Sequence, residues 1–378
     1  MASEGVVDAG GTDWRALALE GKWNELARAA QPSTTVPLAG RTRADVTCAT
    51  YYFLALFKLR RYAALAEETE AYGDFAAAAP LAGSGATLQE PAIPFALGWL
   101  YGEGPLHSGD AAKGLDRLYT LLEFSRRMAT QYQGVLGHAE RVGGGDPGPV
   151  SDVEAPPAGE GAGAFAMQRA WRRRAHTLAC VLACHHCTRQ EYAVALRLVS
   201  DVIASGKGDG GTVDPRYLAL AAYVLLQLGD VESAAHVASE LKRVEAAAAS
   251  GAGSPAARED AERLRTHLDG LVLFASNEHQ QAALKFDAAC SILPGDPVAA
   301  NNKAVSHMYA KDLHISIKLL ETRLSETKAF TLHRPMVLNL CSMYELASAH
   351  AKDKKEALRT WILQHASDEF DATTTRTT

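Results

Sequence analysis

An all-α fold, built as a solenoid of helical hairpins, is what this sequence predicts, and three observations carry the prediction. Apolar residues recur at helical spacing almost throughout, and no segment alternates in the period-two manner of a half-buried strand. Turn signals at Arg60-Arg61, Arg189-Gln190, Gly229-Asp230 and Lys311-Asp312 each separate two helical stretches. Finally, Gly270, Ala282 and Phe286 return 34 residues later as Ala304, Ser316 and Leu320, so small, small and large side chains repeat in register. That is the period of the tetratricopeptide repeat (TPR), and it predicts an α-α superhelix.

The elements follow in chain order. Residues 1–12 read as a disordered start, and residues 13–133 as helical hairpins of divergent, TPR-like pattern. "DWRALALEGKWNELARAA" (Asp13 to Ala30) predicts a short hairpin turning near Gly21, and Asp45 to Tyr72 a better one turning near Arg60. A third pair is expected from "PFALGWLYG" (Pro94 to Gly102) and from Asp110 to Tyr132. Residues 134–164, rich in Gly, Pro and Ala, hold too few large apolar side chains to offset the entropy of ordering and predict a disordered linker.

Residues 165–366 predict a regular TPR array. The spacing of twelve and then sixteen residues from the first small position recurs for Ala183, Ala195 and Val199, again for Ala222, Ala234 and Ala238, and for the two sets already named. Two antiparallel helices approach closely where small residues face each other, and the large residue fills the groove against the next hairpin. These twelve side chains are the expected repeat-packing set. The longer separations between sets are absorbed by "SGKGDGG" (Ser205 to Gly211) and by Ala246 to Glu259, between hairpins, where insertions are tolerated. The Thr-rich end, residues 367–378, is expected to fray.

Chemistry is sparse. With 38 basic and 44 acidic side chains the formal net charge is −6, and no basic stripe runs along the chain, so nucleic acid is not expected as a partner. "GKGDGG" matches a dinucleotide-loop pattern, but a helix rather than a strand precedes it, so no cofactor is expected there. Cys180, Cys184 and Cys187 share one helix face beside His185 and His186, yet no second ligand cluster exists to close a tetrahedron. They are read as packed thiols, with no metal. No nucleophile, zinc-protease or phosphate-loop motif occurs, and no catalytic residue is assigned: the chain is expected not to be an enzyme. The N-terminus lacks a secretory pattern and the longest apolar run is too short to span a bilayer, so a cytoplasmic protein with reduced thiols is expected.

Candidate protein-binding residues fall in two places. The inner face of a first helix would show Asn301, Val305, Met308 and Tyr309, a mixed polar and apolar stripe suited to a peptide or subunit. Arg172, Arg173 and Arg174 could dock an acidic segment, since guanidinium forks pair well with carboxylates. No Lys/Asn set suited to gripping two carboxylates, as in chaperone-binding TPR domains, is seen.

"AANNKAVSHMYAKDLHISIKLLE" (Ala299 to Glu321) followed by "MVLNLCSMYELASAHAKDKKEAL" (Met336 to Leu358) resembles the C-terminal end of the TPR subunit, numbered twelve in animals, of the TRAPP vesicle-tethering complex. The resemblance implies a scaffold subunit of a TRAPP III-like assembly. Its partners would be the TRAPP core and TRAPP III-type subunits, with indirect association to Rab GTPases whose nucleotide exchange the core subunits perform. It also implies ER-to-Golgi transport, with autophagy as an open extension, and peripheral attachment at ER-Golgi intermediate or Golgi membranes through the complex. The competing expectation is a TPR peptide-binding adaptor or co-chaperone in another cytosolic complex.

Overall fold

The computed structural model describes residues 13–32, 42–72, 94–139, 164–205, 213–250, 255–326, 332–347 and 349–375. Among these residues it contains sixteen α-helices, one 3-10 turn and no strand. Contacts divide the chain into a unit up to Leu182 and a unit from Ala183.

In the first unit, α1 (Trp14–Leu19) and α2 (Trp23–Ala29), α3 (Arg43–Lys58) and α4 (Tyr62–Tyr72), and α5 (Phe95–Ser108) and α6 (Ala111–Ala139) form three hairpins. Each first helix also packs on the first helix of the next pair, α1 on α3 and α3 on α5. Local signals start the helices: Asp13 accepts the N–H groups of Arg15 and Ala16, and Thr42 with Asp45 forms a reciprocal capping box. The core gathers Trp14, Trp23, Leu26, Phe53, Leu65 and Leu97.

One expectation needs correction here. The first helix of the third pair does not stop at Gly102 but continues through Pro105 to Ser108. Proline in a helix frees the carbonyl four residues back. The freed carbonyl of Tyr101 accepts a hydrogen bond from the Arg117 guanidinium of α6 at 3.1 Å. Arg117 also lies 3.6 Å from the Tyr101 ring centroid and pairs with Glu70 of α4. A cation from the neighbouring helix thus does what the missing backbone donor cannot.

α7 (Ala164–Thr188) contains the division at Leu182 and Ala183. Residues 134–139 of the expected linker are helical and residues 140–163 lie outside the described residues, as do residues 1–12.

The second unit continues with α8 (Tyr192–Ser205), α9 (Pro215–Leu228), α10 (Val231–Ser250), α11 (Pro255–Ala275), α12 (His279–Ile292), α13 (Pro297–Tyr309), α14 (Leu313–Glu326), α15 (Arg334–Ala347) and α16 (Ala351–His365). From α8 onward each helix packs on the next, and α9 on α11 and α13 on α15 pair first helices of successive hairpins. Asp214 and Asp296 cap α9 and α13, each followed by a proline whose absent N–H would be unpaired in any case. The chain end departs from the expected fraying. Residues Ala372–Thr375 form a 3-10 turn against α15 and α16, with Thr374 and Thr375 buried.

The hairpin joints share one geometry. Arg60, Gln190, Asn277, Lys311, Gly229 and Gly109 have φ of 57°, 63°, 65°, 73°, 91° and 111°. The next residue's N–H reaches back five positions at 2.9 Å in every case: Arg61 to Leu56, Glu191 to His186, Glu278 to Leu273, Asp312 to His307, Asp230 to Leu225 and Asp110 to Pro105. This left-handed cap closes one helix and its neighbour opens the next, which leaves a loop of two or three residues. Four of the six positions carry a side chain where glycine is the cheaper residue, so the fold imposes the turn there.

Candidate binding surface of the hairpin array

The cap explains the spacing. Ala183, Ala222, Gly270 and Ala304 each stand seven residues before a left-handed residue, and Ala195, Ala234, Ala282 and Ser316 five residues after it. The N–H of each of the latter four bonds the carbonyl just past the joint, that of Glu191, Asp230, Glu278 or Asp312. Small side chains are therefore placed where the two helices are closest. All twelve residues of the expected packing set are buried, including Val199, Ala238, Phe286 and Leu320. A Cβ built on Gly270 would meet the Phe286 ring at 2.8 Å.

The first unit obeys the same spacing at Gly102, Gly114 and Leu118, which sequence reasoning missed because it ended the helix at Gly102. Met343 and Lys355 keep the twelve-residue interval in the last pair, with a buried lysine where the four pairs before it hold alanine or serine. Lys355 Nζ forms an ion pair with Glu345.

On the first-helix face, the four candidate residues separate. Asn301 is buried, a correction to its expected place on an accessible face: its side-chain oxygen accepts from Asn339 of α15 at 2.8 Å. Val305 and Met308 are half-buried against the core of the last two hairpins. Tyr309 remains 55% exposed and sits within an aromatic cluster, 5.2 Å from Phe274 and 5.3 Å from His279 between ring centroids. Nearby, Asn302 and His267 are 3.3 Å apart across α13 and α11, and burial lowers the His267 pKa so that its imidazole is held neutral.

The arginine group is also split. Arg174 is buried, with its guanidinium 4.4 Å from the Trp171 ring and 5.4 Å from Phe95, so it holds aromatic side chains together and is not part of a docking face. Arg172 is half-buried and Arg173 exposed. Cys184 is exposed rather than packed in a core, while Cys180 and Cys187 are half-buried. Desolvation raises the Cys184 and Cys187 thiol pKa values, so both are protonated at neutral pH. The "GKGDGG" stretch lies outside the described residues.

Among the described residues no three His, Cys, Asp or Glu side chains converge as a metal site, and no helix is long and apolar enough to cross a membrane. The buried carboxylate of Glu103 is held by Trp99 Nε1 at 2.8 Å and His107 Nε2 at 3.0 Å, both from its own helix, and so serves packing. Of the candidate residues, Tyr309 in the second unit and Arg173 in the first remain exposed.

The fold is thus that of an α-α hairpin array of TPR-like spacing. The resemblance expected from the last third of the sequence is borne out as distant homology to subunit 12 of the trafficking protein particle complex. The Homo sapiens protein is 25% identical over 291 residues, covering 74% of this chain and 34% of that protein. The Mus musculus protein is 24% identical over 291 residues, covering 74% of this chain and 32% of that one. The chain spans about a third of the length of the curated relatives it matches. No family model matches the chain.

Proposed function

We propose that this chain is a non-enzymatic scaffold subunit of a TRAPP III-like tethering complex, acting in ER-to-Golgi vesicle transport. The observation that carries the reading is homology to a trafficking complex subunit over 74% of the chain. In this reading the helices hold TRAPP core and TRAPP III-type subunits together. Rab nucleotide exchange belongs to the core subunits, and the chain reaches Golgi or intermediate membranes through them. Two arrays, residues 13–133 and 165–366, supply the contacts. Tyr309 is the anchor of one contact face, with Val305 and Met308 as its support, because a large, rigid aromatic half out of the surface gives area at low entropic cost. Arg172 and Arg173 offer a second, cationic contact.

Affinity purification of the tagged chain with mass spectrometry tests the reading. Small TRAPP core subunits should be recovered in stoichiometric yield, and Tyr309→Ala should lower that yield without lowering the melting temperature. Recovery of chaperones or other peptide-tail clients without any TRAPP subunit would transfer the chain to the adaptor class and end the proposal.

A further inference from the structure

Between α12 and α14, on the second-helix face and away from Tyr309, lies an open groove of about 540 Å³. Ala300, Ile315 and Leu319, all half-buried, form its apolar floor. His314 and Lys318, one turn apart on α14, are exposed on its rim, and neither meets a carboxylate among the described residues. Lys303 and Arg323 complete the rim, the first 2.5 Å from Asp287 and the second 3.6 Å from Glu326. The lining therefore holds three fixed cations and a histidine against the one carboxylate of Glu326, on a chain whose net charge is −6.

We propose that this groove docks an acidic amphipathic helix from a protein partner. Along α14, His314, Lys318 and Thr322 form one ridge at helical spacing and Ile315 and Leu319 the row beside it. A helix bearing leucine in one row and glutamate in the next meets both, the leucines on the floor and the carboxylates on the rim. An extended strand has no sheet edge to join among the described residues. A second copy of this chain related by two-fold symmetry would bring one cationic rim against another, which charge repulsion opposes. The proposal goes beyond the scaffold reading and does not depend on which complex the chain joins.

The test uses the full chain and a fluorescein-labelled 16-residue peptide with leucine at every third and fourth position and glutamate elsewhere, read by fluorescence anisotropy. Saturable binding is expected, weaker at raised salt. The double variant Lys318→Glu with His314→Glu should bind about tenfold less tightly, since it sets like charges together. Tyr309→Ala should leave the affinity unchanged, and matched thermal melts of the variants would show that both rim positions tolerate the change. Absence of binding, equal binding by the peptide with lysine for glutamate, or insensitivity to the double variant would overturn the proposal. So would a stable dimer of the chain alone that Lys318→Glu dissociates, which would assign the groove to a second copy.

Discussion

Gly114→Ala should destabilise the first unit, although alanine is the better helix former. A Cβ at this position would lie 2.6 Å from both the backbone nitrogen and the Cβ of Leu106, and 2.8 Å from its Cα. Carbon atoms rest at about 3.5–4.0 Å, so α5 and α6 must part by roughly 1 Å. A buried leucine makes about 40–60 contacts of ~0.1–0.2 kcal/mol each, and a gap of that size forfeits a quarter or more of each well. Leu118, fully buried at this interface, would alone lose roughly 1–3 kcal/mol, the usual range for overpacking. The helix gain of ~1 kcal/mol offsets part of this, which leaves a net loss of up to about 2 kcal/mol. Gly98→Ala is the control. Its nearest neighbours are the Leu121 methyl groups at 3.3 Å and 3.5 Å, the ends of a half-buried side chain that can rotate. Urea unfolding of the full chain, followed by circular dichroism, should move the midpoint down for Gly114→Ala and leave it unchanged or raised for Gly98→Ala. The same or greater stability for Gly114→Ala would show that small residues are not what lets these helices close.

Other perturbations separate packing from charge. Lys355→Met should be neutral or stabilising by up to ~1 kcal/mol in thermal melts, because Glu345 is half exposed and is not left as a buried charge; Lys355→Ala should lose about 1–2 kcal/mol through lost packing. Burial, and then its hydrogen bond to Glu68 at 2.8 Å, push the Tyr52 phenol up to about 12. A raised folded value stabilises below the unfolded pKa near 10 and is lost as pH climbs through about 12. Urea midpoints measured across that window should thus fall more steeply for the wild-type chain than for Tyr52→Phe. Arg174→Ala should lower stability by about 1–2 kcal/mol through its aromatic neighbours, whereas Arg173→Ala, at an exposed position, should stay within about 0.5 kcal/mol by the same melt.

Much of the scaffold was legible because spacing is a local property. The joints at Arg60, Gln190, Gly229 and Lys311, and the small-residue positions from Ala183 to Ser316, are set by residues within one hairpin. What failed to show depended on a second helix. The helix expected from Pro94 to Gly102 runs on through Pro105 to Ser108, where Arg117 of α6 reaches the Tyr101 carbonyl. Arg174 reads as a docking residue until Trp171 and Phe95 are seen beside it, and Asn301 as accessible until Asn339 arrives from 38 residues away. The groove between α12 and α14 left no mark in the sequence, since its floor and rim come from three helices whose one-dimensional pattern is that of ordinary amphipathic segments.

Because one joint is reused, the chain is divisible. Removing residues 270 to 303 would splice Asp269 to Ala304 with every later interval intact, merging the front of α11 with the back of α13 ahead of the same bend at Lys311. Length could change by whole cassettes while local geometry stays fixed, so gene duplication or loss inside such a stretch would alter reach without asking the remaining helices to learn new neighbours.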